Sequence, residues 1–326
     1  MCTKKYPSYS IAIRTLGTAG EKYLETLNSC NRQTIKPERI YIYIPYGYAL
    51  PKETIGREEY IRCSKGMVSQ RSLSFDEITT DFILFLDDDL SFKENFVQLL
   101  FDGLLENKGD CISPDIYSIH KNNIWIKIRD VFGGTYPHFD RKWAFKIRHN
   151  AHYSYNNNPI SNVLLTQSGA GACALCKKDV FRAIHFEDER WIENVSYSLG
   201  EDQLFFYKMY KYGYKVLISY NVQIKHLDAG AGHKKDKQRL AFAFGFCRYV
   251  IWYRTIYSER ASVCHKLVCI LSFICGFLRS LPLTFITILK YRSVAYFMNN
   301  LKGIYKGITY VKSCEYREIP LFYKYK

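Results

Sequence analysis

The sequence predicts an α/β protein: a mainly parallel sheet flanked by helices, followed by a basic, apolar helical region at the C-terminus. Three observations carry this expectation. Short apolar runs alternate with stretches of helical period over the first two thirds of the chain, the pattern of strand–helix–strand crossovers. Acidic residues cluster where an apolar run ends, and in such sheets ligands gather beyond the carboxyl ends of the strands. The charge is also split. Residues 233–326 hold 17 Lys and Arg against 4 Asp and Glu, which is +13 of the formal +15. The reading is a nearly neutral body over 1–232 and a strongly basic region over 233–326 that favours an anionic partner.

The elements follow in order. Residues 8–14 (S-Y-S-I-A-I-R) read as the first strand, and 20–30 have a helical period through Tyr23, Leu24 and Leu27. Pro37 precedes a second strand, I-Y-I-Y-I, which Pro45 stops. Residues 68–78 are expected to be helical and to lead into the strand F-I-L-F-L, 82–86. A helix is expected over 96–105. Residues 121–165, rich in Asn, Tyr and His, read as a long excursion from the core. A short helix over 179–183 and a longer one over 201–212, ended by Gly213, precede a last strand at 215–218.

The basic region mixes aromatic and aliphatic stretches with single Lys and Arg. Its longest apolar run, 267–278, is too short to span a bilayer, and Arg279 and Pro282 interrupt it. Helices lying in a membrane interface are the preferred reading. A transmembrane helix and a helical subdomain packed on the body are the alternatives. Residues 1–10 carry no charged-then-apolar leader. The eleven cysteines are scattered; Cys173 and Cys176 form a C-x-x-C inside an apolar run and read as buried thiols. So many free cysteines suit a reducing cytoplasm.

Chemistry enters with Asp87, Asp88 and Asp89 at the end of F-I-L-F-L-D-D-D-L. Neighbouring carboxylates at a strand tip repel one another and resist desolvation. Capping of the next helix is the plain explanation, but Ser91 and Glu94 form their own S-x-x-E capping box. A divalent cation with oxygen ligands is then the better account. In a second S-x-x-E, Ser198 and Glu201, the following Asp202 has no capping duty and is a candidate general base. His226 follows the last strand and is a candidate ligand, although a lone His is more often an ordinary residue.

The ordered series Y-S-I-A-I-R-T (9–15), S-C-N-R-Q-T-I-K-P-E-R-I (29–40), K-G-M-V-S-Q-R-S-L (65–73), F-I-L-F-L-D-D-D (82–89), S-G-A-G-A-C-A-L-C-K-K-D-V-F (168–181), F-E-D-E-R-W (186–191), G-E-D-Q-L-F-F-Y-K (200–208) and Y-G-Y-K-V (212–216) resembles family 2 glycosyltransferases of the GT-A fold. The basic, apolar C-terminal region is similar to that of membrane-associated bacterial members. The resemblance implies a metal-dependent, inverting hexosyl- or related transferase acting on a nucleoside-diphosphate sugar, most often a UDP-sugar, with Mg²⁺ or Mn²⁺. It implies that Asp87, Asp89 and His226 hold the metal and that Asp202 deprotonates the acceptor hydroxyl. It implies further that Arg14, Thr15, Arg71, Asp87 and Asp88 hold the nucleotide and its diphosphate. Residues 1–232 become the catalytic domain and 233–326 the membrane-associating region.

The acceptor implied is a glycan or lipid-linked hydroxyl, at the inner face of the plasma membrane, with an anionic membrane surface as partner and polysaccharide biosynthesis as the setting. This chain departs from the family after its second strand: Pro45-Tyr46-Gly47-Tyr48 replaces an acidic turn, so base recognition shifts to stacking on Tyr46 or Tyr48. Ser72 stands where many members carry Asn. S-G-A-G-A allows close backbone approach and is no phosphate loop. Trp191 either borders the acceptor or lies in the core. A nucleotidyltransferase or sugar-nucleotide hydrolase is the rival enzyme. A nucleic-acid-binding protein would use the basic region but leaves both acidic motifs unexplained, so no nucleic-acid partner is expected.

Overall fold

The computed structural model describes residues 5–116, 124–227, 236–259 and 262–322. The boundary expected between 232 and 233 lies outside the described residues. The chain begins β1 (Tyr9–Arg14), α1 (Glu21–Asn31), β2 (Ile40–Pro45), β3 (Glu58–Cys63), β4 (Phe82–Asp87), β5 (Leu90–Phe92), α2 (Phe96–Glu106) and β6 (Cys111–Pro114). It continues α3 (Ile124–Gly133), β7 (Phe145–Ile147), β8 (Tyr153–Tyr155), β9 (Val163–Leu165), β10 (Cys173–Lys177) and α4 (Lys178–Ala183). A 3₁₀ helix, Phe186–Asn194, leads to α5 (Glu201–Lys211), β11 (Val216–Ser219) and β12 (Ile224–His226). Four helices follow: α6 (Lys237–Trp252), α7 (Val263–Tyr291), α8 (Ala295–Tyr310) and α9 (Cys314–Glu318).

The main sheet has eight strands in the order β3-β2-β1-β4-β10-β6-β11-β9. β1, β2, β3 and β4 run parallel, and Arg14 of β1 is level with Asp87 of β4. Strand β10 is antiparallel to both β4 and β6. Because β1 is buried on both faces, its side chains alternate between two cores. Tyr9, Ile11 and Ile13 face α1 and α2, whereas Ala12 faces α5 and the C-terminal helices. This is the α/β architecture the periodicity predicts. Cys173 and Cys176 are buried free thiols within β10.

Local signals fail at four places. Residues 66–72 form a tight turn rather than the expected helix, because the Glu193 carboxylate accepts the Val68 and Ser69 amides at 2.7 and 2.9 Å. Phe75, at φ 51°, prevents a helix from continuing. The charged strip E-E-Y-I-R-C is an edge strand, half buried and paired only with β2, and its weak alternation hides it. Ser91 is no cap: it lies in β5 and donates to Glu25 at 2.8 Å, while α2 starts after Asn95 without a side-chain cap. Gly200 likewise opens α5 uncapped, leaving Glu201 buried for another task. Neither S-x-x-E is therefore a capping box, yet Asp87–Asp89 also lie too early to cap α2.

The C-terminal helices share the body's core. Phe246, Trp252, Phe273 and Tyr310 belong to the same apolar cluster as Phe205 and Trp191. Trp191 is 4% exposed and lies against Phe246 and Tyr310, a core position. An enclosed charge cluster fastens the two parts. Glu189 accepts from Arg254 at 2.7 and 2.9 Å, Lys208 at 3.0 Å and the Trp191 indole at 2.8 Å. Burial alone would raise the Glu189 carboxyl, but Arg254 and Lys208 hold it below its ordinary range. Helix α7 behaves differently. By length and composition its segment Val263–Lys290 could cross a membrane, with mean hydropathy 1.9 in its most apolar window. Leu267, Leu271, Ile274, Leu278, Phe285 and Leu289 form an exposed stripe along it, while Cys269 and Phe273 face the core.

Candidate active site

The site begins at the level ends of β1 and β4. Arg14 is buried, and its Nε donates to Asp87 Oδ1 at 2.5 Å. Its Nη1 lies 3.5 Å from Glu201 Oε1, across the sheet's mouth at the start of α5. Arg71 completes the line. It is fully buried, and its Nη1 donates to Glu201 Oε2 at 2.7 Å and to Asp202 Oδ1 at 3.3 Å. Its Nη2 donates to the Gly171 carbonyl at 2.9 Å. One alternating network, Asp87–Arg14–Glu201–Arg71–Asp202, thus joins the two acidic motifs. The placement differs from the expectation for Arg71: it holds the acidic pair from beneath and has no exposed surface for a diphosphate.

The electrostatics separate the carboxyls by role. Burial raises Glu201 well above its ordinary range; Arg71 and Arg14 oppose this, and the Asp202 charge adds to it. For Asp202 burial acts the same way, but Arg71, a hydrogen bond from Glu201 and Arg14 outweigh it and hold the group below its usual range. The pair therefore reads as a neutral Glu201 supporting an ionised Asp202. The Asp202 side chain keeps 39% of its surface, enough to meet a substrate. Gly171 makes the arrangement possible: a Cβ there would stand 2.0 Å from Asp202 Oδ1 and 2.4 Å from Arg71 Nη2.

At the strand tip the three aspartates diverge. Asp88 takes a short hydrogen bond from Thr15, while burial, with Asp87 and Asp89 nearby, pushes its carboxyl up to about 6. Asp89 is mostly buried and lies 3.4 Å from His226 Nε2, whose strand β12 pairs with β5. The expected ligands are thus only partly assembled. Asp89 and His226 meet, Asp87 is turned to Arg14, and no cluster of three His, Cys, Asp or Glu metal donors occurs among the described residues. One carboxylate oxygen and one imidazole nitrogen suit a divalent cation that completes its shell with phosphate oxygens and water. Tyr46 is 70% exposed beyond β2, and Tyr48 stacks under Lys65 Nζ at 4.9 Å.

Two contributors were invisible in the sequence. Glu193 holds the turn that delivers Arg71, from about 120 residues away, and also receives the Ser69 hydroxyl at 2.8 Å. Gln203 donates to the Ala151 carbonyl at 2.7 Å and so fastens residues of the 121–165 excursion beside Asp202. No local signature marks either.

A mainly parallel sheet with these groups at its carboxyl edge has the GT-A glycosyltransferase fold. The chain is similar in structure to "Crystal structure of GalNAc-T7 with UDP, GalNAc and Mn2+", with TM-score 0.50 and 12% identity over 77% of this chain. It spans about half of that chain, 50%. Residues 52–184 match the family model described as Glycosyl transferase family 2. A second similar structure is a mannosyltransferase from Pyrobaculum calidifontis in complex with GDP-Man and Mn2+. That match has TM-score 0.47 and 10% identity, covering 96% of this chain and 83% of that one. No curated protein matches the chain in sequence.

Proposed function

We propose that this chain is a metal-dependent, inverting glycosyltransferase that moves a sugar from a nucleoside-diphosphate sugar to an acceptor hydroxyl at a membrane surface. The observation that carries the proposal is the charge network that holds Asp202 below its usual range and partly exposed, joined to the strand-end Asp87 through Arg71, Glu201 and Arg14. Residues 1–232 hold the catalytic machinery, and 233–326 associate with the membrane through their Lys and Arg residues and the exposed stripe of α7. A divalent cation would be held by Asp89 and His226 and would neutralise the charge developing on the leaving diphosphate.

The chain's own groups do the remainder. Asp202 accepts the proton of the acceptor hydroxyl as that oxygen attacks the anomeric carbon from the face opposite the leaving group. Glu201, neutral, donates to Asp202 and keeps it aligned. Arg71 and Arg14 fix both acidic motifs in one frame, which limits reorganisation during transfer. Tyr46 and Tyr48 offer faces on which a nucleobase can stack.

The test is a thermal-shift screen of nucleoside diphosphates with and without Mn²⁺, followed by sugar transfer. Stabilisation that requires both nucleotide and metal is expected, and Asp202→Asn should lower turnover by roughly 10²–10⁴-fold without unfolding the chain. Near-wild-type turnover in that variant would sink the mechanism. Retained turnover with water as acceptor would transfer the site to hydrolase chemistry.

A further inference from the structure

A second charged cluster lies where the 121–165 excursion, α6 and α7 meet, and it has the opposite composition from the acidic site. Arg148 and Arg279 both lie against the ring of Tyr136, their guanidinium carbons 3.0 and 4.8 Å from its centroid. A Cβ at Gly134 would stand 3.2 Å from both Arg279 Nη2 and His152 Cγ. A Cβ at Gly276 of α7 would stand 2.8 Å from Asn150 Nδ2 and 3.1 Å from Arg248 Nη2. The two glycines therefore let the backbone pack directly against the guanidiniums. Arg248 Nε and Nη2, Arg279 Nε and His152 Nε2 are enclosed and have no hydrogen-bond partner.

Among the described residues no carboxylate answers these charges. Arg148 reaches only a carbonyl, that of Tyr136, at 3.3 Å. Burial and the Arg279 charge lower Arg148 and Arg248 to about 10, and burial with the three arginines lowers His152 to about 3. Unpaired enclosed guanidiniums cost stability, so their convergence calls for an anion. Three planar donor forks suit the several oxygens of a phosphate or diphosphate better than one carboxylate.

We infer that Arg148, Arg248 and Arg279 form a binding site for a phosphate or diphosphate group presented beside α7. Two contacts give the site its meaning. Gln203, next to Asp202, holds the Ala151 carbonyl, and the Trp252 indole donates to the His149 carbonyl at 2.9 Å. The loop that carries Arg148, Asn150 and His152 is thus pinned to the helix of the candidate base. On its outer side, α7 exposes Leu271, Ile274 and Leu278 immediately before Arg279. A lipid phosphate would place its head on the arginines and its chain along that stripe, beside the loop that Gln203 fastens. This deepens the proposed transfer at a membrane and rests on it only for the identity of the acceptor side.

The test is binding by the full chain, without donor or turnover, so it can fail while transfer stands, and transfer can fail while it stands. Phosphatidylcholine vesicles carrying phosphatidate, the same vesicles carrying phosphatidylserine at equal charge, and inorganic pyrophosphate form the three arms. The pair Arg248→Gln/Arg279→Gln and the single Arg148→Gln are compared with Lys302→Gln/Lys306→Gln, which removes two charges from α8. For a lipid phosphate, wild type prefers phosphatidate, and the arginine pair loses that preference by about tenfold or more. The lysine pair keeps it. For a soluble source, pyrophosphate stabilises wild type and not the arginine pair, with no preference between vesicles. The arginine pair should melt no lower than wild type, because like charges have been removed. Equal loss in the arginine and lysine pairs, or an arginine pair and Arg148→Gln both indistinguishable from wild type in every arm, overturns the site.

Discussion

Glu189 and Glu201 are both enclosed carboxyls, and each faces two cationic side chains, yet they are shifted in opposite directions. Glu189 is held below its ordinary range and Glu201 is raised well above it. The difference lies in how completely each is answered. Glu189 takes two bonds from Arg254, one from Lys208 and one from Trp191, all at 3.0 Å or less. Glu201 accepts one short bond, from Arg71; its other oxygen reaches Arg14 only at 3.5 Å, and Asp202 adds a like charge. A saturated cluster is a fastener. An unsaturated one with a partly exposed member is where chemistry can happen. The arginine cluster beside α7 is the unsaturated case with its sign reversed.

Breaking the saturated cluster should have the largest effect. Glu189→Ala leaves Arg254 and Lys208 enclosed without their anion, and a loss of about 3–5 kcal/mol is expected. Chemical denaturation would measure it, and turnover per folded molecule should be unchanged. The pH dependence has a definite sign. Because the folded carboxyl is depressed, its contribution is present above the unfolded value and disappears as pH falls through the folded one. The acid limb of the wild-type stability profile should therefore flatten in the variant. A variant as stable as wild type would show that the C-terminal helices are held by apolar contacts alone.

The sequence was most informative where the physics is local. Parallel strands such as β1 and β4 announce themselves as apolar runs because both faces are buried. Asp87–Asp89 and Asp202 stand out because carboxylates at such positions need an explanation. What connects them was not legible. Arg71 is delivered by a turn that Glu193 holds from far along the chain, and local periodicity read that turn as helix. Ser91 and Glu201 carry a capping signature, but distant partners, Glu25 and Arg71, outcompete the local bond. Strand β3 was missed because an edge strand needs no continuous apolar face.

The unsaturated cluster gives a sharper and smaller prediction. If Glu201 is neutral in the folded protein, Glu201→Gln keeps the hydrogen bond toward Asp202 and removes no charge. Turnover should fall by less than about tenfold, far less than for Asp202→Asn. A steady-state comparison of the two variants at one pH decides this. Equal losses would mean that the proton is shared in another way and that the roles of the two acids are not separable.

The last effect concerns Trp191, which a sequence reading could place at the acceptor or in the core. Its indole donates to Glu189 Oε2, an oxygen that Arg254 also contacts at 2.7 Å. Trp191→Phe removes one of four bonds from a cluster that stays charge-balanced, and the phenyl ring still lies against Phe246 and Tyr310. The loss should be about 1.5–3 kcal/mol, the net value of one bond to a charged group. The Michaelis constant for acceptor should not move. A raised acceptor KM with unchanged stability would place this ring at the acceptor; the reverse pattern keeps it in the core, where it lies against Phe246 and Tyr310.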